Sequence, residues 1–314
     1  MKKHLVFLTI FLLCLSTCVF AFGEKTEHII WMAAVVPDSG DHYLMYSDFE
    51  ASGRISPDFP DGTAWLLCAI GYKPGAYFIL EKKHSRTSTL LDIMYYDGEA
   101  LTPCVESMWL ENCVYYVAYL DDFLYYVKWE PSFDDKKGSN EYYVMRTKKG
   151  ILPETIAKIP DSTSAPVISA RGDLLYFDVN DAIGYSRIVH VSSFGEEVIA
   201  EGEHALWLDL DNILFVDNDD VFCCYNITKR ESQVFLDVTG RPIQMPTIYG
   251  NITINKAKDT VAYFAEKPDE EIPEEYRNFA QRKAYTVSLI TGEHHPIEGA
   301  DFIGDNSLMT WWGE

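Results

Sequence analysis

The sequence of 314 residues lacks the motifs by which common catalytic folds are recognised. No Gly-x-Ser-x-Gly nucleophile elbow is present, because the nearest stretch, Gly184-Tyr185-Ser186-Arg187-Ile188, has isoleucine in place of the second glycine. Phosphate-binding loops, dinucleotide fingerprints and the His-Glu-x-x-His zinc motif are also missing. The sequence therefore nominates no catalytic, cofactor-binding or metal-ligating residue, and we predict no cofactor.

Basic residues are few. The chain has 26 Lys and Arg against 48 Asp and Glu, which gives a formal net charge of −22. A surface of this sign repels phosphate backbones, so we predict that nucleic acid is not a partner. The same charge attracts cations, which leaves a calcium-dependent binding module as one alternative.

Long apolar runs are confined to the start of the chain. Residues 1–21 begin with Lys2 and Lys3 and continue with an apolar stretch from Leu5 to Phe20 that is followed by Ala21. This pattern predicts a bacterial export signal that is cleaved, leaving residues 22–314 as a single domain in the periplasm or outside the cell. No later run is apolar long enough to span a bilayer.

Two other interpretations of the first 21 residues stay open. The apolar stretch could remain as a membrane anchor, although it is short for a span. The chain could also be a lipoprotein anchored at Cys18, but Thr17 stands where a smaller residue is usual.

Cysteine is scarce in the predicted mature chain. Five cysteines remain there, an odd number, so at least one thiol is unpaired or pairs outside the chain: Cys68, Cys104, Cys113, Cys223 and Cys224. A bridge between Cys104 and Cys113 is possible but is not determined by the sequence. Cys223 and Cys224 are neighbours on a predicted strand, so we expect one to be buried and the other exposed.

Aromatic residues are abundant, with 20 Tyr, 17 Phe and 7 Trp. Short apolar runs such as Leu174-Leu175-Tyr176-Phe177 are bounded by Gly, Asp, Asn or Pro, which indicates many short strands joined by tight turns. Helical periodicity is nearly absent. The exception is the stretch from Pro268 to Lys283, where we predict a short helix within an insertion.

The chain repeats a pair of elements: an apolar strand after a polar turn, and an alternating strand that ends in a polar turn. Examples are Ala205-Leu206-Trp207-Leu208 before Asp211-Asn212, and Tyr285 to Thr291-Gly292-Glu293. The repeats start near residues 56, 107, 164, 204, 247 and 300. Spacings of this size are typical of four-stranded propeller blades.

These elements resemble those of TolB-like and related WD-repeat-like β-propellers. That group has Ser-Pro-Asp-Gly before an apolar strand and Thr-Gly-Glu after the next. Ser56-Pro57-Asp58, with Asp61-Gly62 soon after, is similar to a stretched copy of the first motif, and Thr291-Gly292-Glu293 matches the second. The resemblance extends over nearly all of the predicted mature chain and implies a fold but no activity.

We predict an all-β, six-bladed β-propeller that is closed by N- and C-terminal strands in one blade. The last repeat has room for two strands, and two further strands, His28 to Val36 and His42 to Phe49, would complete it. Seven blades are an alternative, because Ala76 to Leu80 and Phe123 to Val127 are additional apolar runs. A two-domain β-sandwich is a second alternative.

Several polar groups could bind a ligand but have simpler interpretations. The acidic cluster of Asp209, Asp211, Asp217, Asp219 and Asp220 could bind calcium, but Asp217 to Asp220 lie where a hairpin turn is expected. His294-His295 is interpreted as a surface pair, since no third metal ligand is identifiable.

Aromatic pairs are the best indication of a binding role. Trp109 and Trp207 occupy equivalent repeat positions, which favours packing between blades. Tyr115-Tyr116, Tyr125-Tyr126 and Tyr142-Tyr143 should each direct one ring outward. Outward aromatic rings could form a carbohydrate or protein contact surface.

We therefore predict a non-catalytic, exported propeller that binds a protein or cell-envelope component through loops at one end of its channel. The alternatives are a glycan-active enzyme similar to glycoside hydrolases, with paired carboxylates that the sequence cannot nominate, and the calcium-dependent module.

Overall fold

The computed structural model describes residues 28–34, 42–47, 52–54, 63–67, 75–85, 87–132, 140–161, 166–180, 185–266, 282–303 and 309–312. The predicted signal, with Cys14 and Cys18, lies outside these residues, as does Cys68. So does most of the helix predicted from Pro268 to Lys283, although Arg282 and Lys283 belong to a strand. Within the described part of the chain, no helix is long and apolar enough to cross a membrane.

The described chain is built from 24 strands in four-stranded sheets. Five sheets consist of strands that follow one another in sequence, and we call them blades I to V. Blade I contains β4 (Thr63–Leu66), β5 (Ala76–His84), β6 (Ser88–Tyr96) and β7 (Leu101–Glu111). Blade II contains β8 (Cys113–Leu120), β9 (Phe123–Pro131), β10 (Asn140–Thr147) and β11 (Glu154–Ile159).

The other three blades follow the same order. Blade III contains β12 (Val167–Ile168), β13 (Leu174–Asn180), β14 (Tyr185–Ser192) and β15 (Gly195–Glu201). Blade IV contains β16 (Glu203–Trp207), β17 (Asn212–Val216), β18 (Phe222–Asn226) and β19 (Glu231–Val234). Blade V contains β20 (Ile248–Ile254), β21 (Thr260–Glu266), β22 (Arg282–Ser288) and β23 (His294–Ile303).

The remaining sheet combines both ends of the described chain. Its strands are β24 (Met309–Trp312), β1 (His28–Ala34), β2 (His42–Ser47) and β3 (Ser52–Arg54), hydrogen-bonded in that order. We call it the terminal sheet. The first strands of successive blades contact one another, β8 with β12, β12 with β16 and β16 with β20, and β20 contacts β24.

The predicted all-β propeller class is confirmed. Consecutive strands form five blades, which corrects the alternative of seven, and the one further sheet of the described residues is the terminal sheet. The apolar runs that suggested a seventh blade are second strands, since Ala76 to Leu80 lie in β5 and Phe123 to Val127 lie in β9. They are apolar because a central strand of a blade is covered on both sides.

Neighbouring side chains of one strand belong to different cores. In β17, Leu214 packs in the core between blades IV and V, whereas Ile213 and Phe215 pack in the core between blades III and IV. In β9, Tyr126 packs between blades I and II, and Tyr125 packs between blades II and III. Each blade therefore supplies side chains from both faces to its neighbours, which explains the short, almost continuously apolar strands.

This arrangement corrects two expectations drawn from strand alternation. Cys223 and Cys224 are both buried, and so are Tyr125 and Tyr126. Alternation assigns neighbours to opposite faces, but in a blade both faces are covered.

The turns define one face of the molecule. Because strands in a blade are antiparallel, the turn between strands one and two lies at the same end of the sheet as the turn between strands three and four. Contacts between turns confirm that they lie at the same end. The Arg171 side chain, in the turn before β13, donates to the carbonyl of Leu210, in the turn before β17. Thr228 Oγ1, in the turn after β18, lies 3.3 Å from Asp211 Oδ1. We call this surface the turn face. Its described segments are residues 97–100, 121–122, 148–153, 169–173, 193–194, 208–211, 227–230, 255–259 and 289–293.

Burial between blades determines how much free energy of unfolding a substitution should remove. Phe222 is fully buried in the core between blades IV and V. Replacing it with alanine should lower the free energy of unfolding by about 3–5 kcal/mol, since it leaves a cavity. Leu152→Ala, at an exposed turn position, should change it by less than about 0.5 kcal/mol. Urea denaturation of both variants tests this, and equal losses would contradict the assigned core.

His190 should make the core between blades III and IV sensitive to acid. Its side chain is 5% exposed, its Nε2 has no hydrogen-bond partner, and its ring packs edge-on against Trp207 with centroids 5.8 Å apart. Burial lowers the pKa of His190, against the opposing effects of the Asp173 and Glu197 carboxylates.

The His190 ring therefore binds a proton more tightly in the unfolded chain than in the folded one. The full stability of the fold should be present above pH about 6.5, and the free energy of unfolding should decrease as the pH falls below that value. We expect His190→Phe to flatten the loss of melting temperature between neutral pH and pH about 5, measured by circular dichroism. An unchanged acid slope in this variant would rule out His190 as the cause.

Candidate functional site

A cluster of three tyrosines lies at the turn face, where blade I meets blade II. Tyr77 on β5 and Tyr95 on β6 are directly opposite in the strand register, and their ring centroids are 4.9 Å apart with the planes tilted by 46°. Tyr119 on β8 approaches Tyr77 edge-on, with centroids 5.1 Å apart. All three rings are half-buried. We call these residues the tyrosine cluster.

Polar groups border this cluster. The Tyr119 hydroxyl lies 3.4 Å from Asp122 Oδ1, in the turn between β8 and β9. Burial first, and then the Cys104 thiol, Tyr95 and the Asp122 carboxylate, raise the pKa of the Tyr77 hydroxyl. Burial and then the Asp97 carboxylate raise the pKa of Tyr95. The hydroxyls therefore stay protonated at neutral pH and can act as both donors and acceptors.

Gly75 makes room for one of these rings. A Cβ atom at this position would lie 2.6 Å from both Cζ and the hydroxyl oxygen of Tyr95, and 2.2 Å from the Tyr96 carbonyl oxygen. No side chain larger than hydrogen fits there without displacing Tyr95 or the backbone. Glycine at 75 thus leaves the space that the Tyr95 ring occupies against the start of β5.

Apolar side chains protrude from other turns of the same face. Phe194, in the turn between β14 and β15, is 99% exposed, and Leu152, in the turn between β10 and β11, is 88% exposed. More than two-fifths of the surface of three others is also exposed: Ile151, Leu210 and Ile290. The turn at Phe194 is held by its backbone, since its N–H donates to Ser192 Oγ at 3.2 Å. The phenyl ring is therefore not needed to close the turn.

The acidic cluster supplies hydrogen-bond acceptors to turns. Asp217 Oδ1 accepts the N–H groups of Asp219 and Val221, at 3.0 and 2.9 Å. Asp209 Oδ1 accepts the N–H groups of Asp211 and Asn212, at 2.8 and 2.9 Å. Carboxylates in these positions replace missing backbone acceptors, as Asx turns do. Among the residues that the structure describes, no group of three or more His, Cys, Asp or Glu is placed to hold a metal ion.

A cleft of about 280 Å³ separates β15 of blade III from blade IV. Glu201, Asp217 and Asp219 line it, together with the Cys223 thiol. Burial, and then the Asp217 carboxylate 3.5 Å away, raise the pKa of the Cys223 thiol to about 12. The thiol is thus protonated at neutral pH and is a poor nucleophile.

The histidine pair is held by hydrogen bonds. His294 Nδ1 lies 2.7 Å from the Tyr263 hydroxyl, and His294 Nε2 lies 3.0 Å from the carbonyl oxygen of Gln244. His295 Nε2 is 3.9 Å from Glu293. Both ring nitrogens of His294 already have partners, so His294 links blade V to the segment that precedes it. Both histidines lie at the surface, as predicted.

The equivalence of Trp109 and Trp207 is wrong. Trp207 is 8% exposed and packs between blades III and IV, as predicted, whereas Trp109 is 56% exposed. The two residues lie on different parts of a blade: Trp207 on the first strand β16, Trp109 on the last strand β7. Outer strands have fewer neighbours, which leaves Trp109 accessible.

The cysteines are reduced where the structure describes them. Cys104, Cys113, Cys223 and Cys224 are free thiols, so the possible bridge between Cys104 and Cys113 is not formed. Cys104 is exposed beside the tyrosine cluster, and Cys113 is half-buried.

The tyrosine cluster was not identified from the sequence. The predicted outward pairs were Tyr115-Tyr116, Tyr125-Tyr126 and Tyr142-Tyr143, of which Tyr125-Tyr126 is buried. Tyr77 and Tyr95 face each other only because of the β5–β6 register, and Tyr119 reaches them from the next blade. No spacing in the sequence indicates this contact.

Comparisons with known proteins return similar structures only. No family model matches the chain, and no curated protein matches it. A solved structure of apo AztD from Citrobacter koseri is similar with a TM-score of 0.44 and 10% identity, covering 92% of this chain and 98% of that one. An oligogalacturonate lyase from Vibrio parahaemolyticus gives a TM-score of 0.39 and 10% identity, covering 85% of this chain and 84% of that one.

The propeller domain of the trilobed protease from Pyrococcus furiosus is also similar, with a TM-score of 0.37 and 12% identity. That match covers 59% of this chain and 57% of the other, little more than half of its length. The propeller fold of this chain rests on the arrangement of its own sheets. Likenesses this distant carry no information about the activity of this chain.

Calcium should have no effect on the stability of this protein. The carboxylates of Asp209 and Asp217 already accept backbone N–H groups, so removing a divalent cation should leave these turns intact. We expect the same melting temperature in excess EDTA and in millimolar calcium, measured by differential scanning fluorimetry. A melting temperature that rises with calcium would instead support the alternative of a calcium-dependent binding module.

Proposed function

We propose that this chain is an exported, non-catalytic β-propeller that binds a protein or another cell-envelope component through its turn face. The observation that carries the proposal is the complete exposure of Phe194 and the near-complete exposure of Leu152 at the turns of neighbouring blades. Single exposed apolar residues are common on protein surfaces. Here they occur at turn tips on one face, where no packing within the chain requires them.

The physics of the fold supports this location. Strands packed on both sides form a rigid support, whereas turn residues can differ in each blade without cost to the core. Turns at one face of neighbouring blades can contact a single partner together. Burying Phe194 and Leu152 against such a partner would recover the free energy lost by exposing them to water.

We also propose that the terminal sheet is a sixth blade that closes a single domain. β1 and β24 pair from His28↔Trp312 to Trp31↔Met309, and β1 also contacts β4 and β23. The Asn251 side chain adds a clamp, because its amide nitrogen lies 2.8 Å from the Met309 carbonyl oxygen and its Oδ1 lies 3.0 Å from the Met309 nitrogen. These contacts support a blade shared by both ends of residues 22–314.

Export remains a proposal that rests on the sequence. Residues 1–21 have the basic start, apolar stretch and small final residue of a cleaved signal. Cleavage would free the N-terminal strand for the terminal sheet. Amino-terminal sequencing of the protein purified from the periplasm or medium tests this, and an intact Met1 would refute cleavage.

The binding proposal predicts that turn-face substitutions abolish capture of a partner. A Phe194→Ser and Leu152→Ser double variant should retain about a tenth or less of the partner that the unmodified protein captures from its native envelope fraction. The reason is the loss of apolar area that the partner would bury. Quantitative mass spectrometry of the captured proteins provides the measurement.

Val179→Ser is the matched control, since Val179 is also exposed but lies at the end of β13 away from the turn face. All variants should melt at the same temperature as the unmodified protein. Equal capture by the double variant and the control would exclude these turns as the binding surface.

A further inference from the structure

We propose that the tyrosine cluster is a binding subsite for a neutral saccharide. Tyr77, Tyr95 and Tyr119 form its platform, and Asp97 and Asp122 are its hydrogen-bond acceptors. This inference rests on the proposed binding function, and it assigns one ligand class to one part of the turn face. It requires binding without cleavage of the glycan.

The aromatic platform suits a sugar ring. A pyranose has an apolar side made of axial C–H groups, which packs against an aromatic face, and a rim of hydroxyls that needs polar partners. Tyr77 and Tyr95 are tilted by 46° and Tyr119 stands at 62° to Tyr77, so the half-buried rings form an angled surface instead of one flat stack. Such a surface can contact a ring and its neighbour in an oligosaccharide.

The acceptors stand at the edge of this platform. Asp122 contacts the Tyr119 hydroxyl through Oδ1. Asp97 Oδ1 accepts the N–H groups of Glu99 and Ala100, both at 2.9 Å, which fixes the carboxylate in its turn. Carboxylates held in this way can accept hydrogen bonds from sugar hydroxyls, and such charge-assisted bonds are the stronger kind.

Charge narrows the ligand class. The turns that border the cluster carry Asp97, Glu99, Asp121 and Asp122, and the whole chain has a net charge of −22. A uronate polymer would bring its own carboxylates next to these groups, and like charges at short range are unfavourable. The subsite should therefore take neutral saccharides and reject acidic ones.

The rings are held in place before a ligand arrives. Tyr77 and Tyr119 pack against the core between blades I and II. The Tyr95 ring packs close to the backbone at Gly75, where a Cβ atom would lie 2.6 Å from its hydroxyl oxygen. Side chains restricted in this way lose less conformational entropy on binding than freely exposed ones do.

Isothermal titration of the full mature chain with defined oligosaccharides tests the proposal. The probes are hexasaccharides of glucose, N-acetylglucosamine and mannose, with hexagalacturonate as the acidic counterpart. We expect at least one neutral probe to bind and to be recovered intact, and Tyr77→Ala with Tyr119→Ala to weaken it by about tenfold or more. Asp122→Asn should weaken it as well.

Tyr185→Ala is the matched control, since it removes an exposed tyrosine on β14, outside the cluster. Its affinity should equal that of the unmodified protein, and circular dichroism should show all variants folded. The proposal is overturned if no neutral probe binds, if the double variant binds as well as the control, or if hexagalacturonate binds as tightly as the neutral probes.

The two proposals fail in different ways. If a protein partner is captured through the tyrosine cluster and no glycan binds, the saccharide subsite is wrong and the binding function stands. The opposite result is that a neutral glycan binds, but the Phe194 and Leu152 double variant captures envelope components as well as the Val179 variant does. In that case the saccharide subsite stands, and the turns at Phe194 and Leu152 are not the surface that binds an envelope partner.

Discussion

Burial of both faces of every blade between two neighbours is the constraint on which the rest of this structure depends. Along β17, successive side chains alternate between the core shared with blade III and the core shared with blade V. The central strands of sheets packed in this way carry mostly apolar side chains, with buried exceptions such as Asp92 and His190. Charged side chains are thereby displaced to turns and outer strands, which makes a strongly acidic chain compatible with a continuous apolar interior.

Polar side chains of the turns and of β20 stabilise the fold. Asp209 and Asp217 satisfy backbone N–H groups, and Asn251 clamps the first strand of blade V to β24. The acidic side chains that suggested a calcium site are thus committed to the fold. The proposed binding uses side chains with no such task, such as Phe194, and the tyrosine cluster at one boundary between blades.

The tyrosine cluster depends on the boundary between two blades. Tyr77 and Tyr95 come from one blade and Tyr119 from the next, so their contact needs two sheets to be docked. A surface of this kind is held by the inter-blade core beneath it. Substitutions in that core would alter the cluster as well as the stability, whereas substitutions at exposed turn positions would leave the fold intact.

The sequence by itself determined the all-β propeller class and the approximate positions of most blades. Alternation, turn residues and repeat spacing are local properties, and predicted starts near 164, 204 and 247 lie close to Val167, Glu203 and Ile248. Only the tertiary structure decided which aromatic rings are exposed. Strand alternation tells which two residues face apart, but not what covers each face, so Tyr125 and Tyr126 proved buried while Trp109 proved exposed. The tyrosine cluster was hidden for the same reason, because its residues are brought together by strand register and by packing between separate sheets.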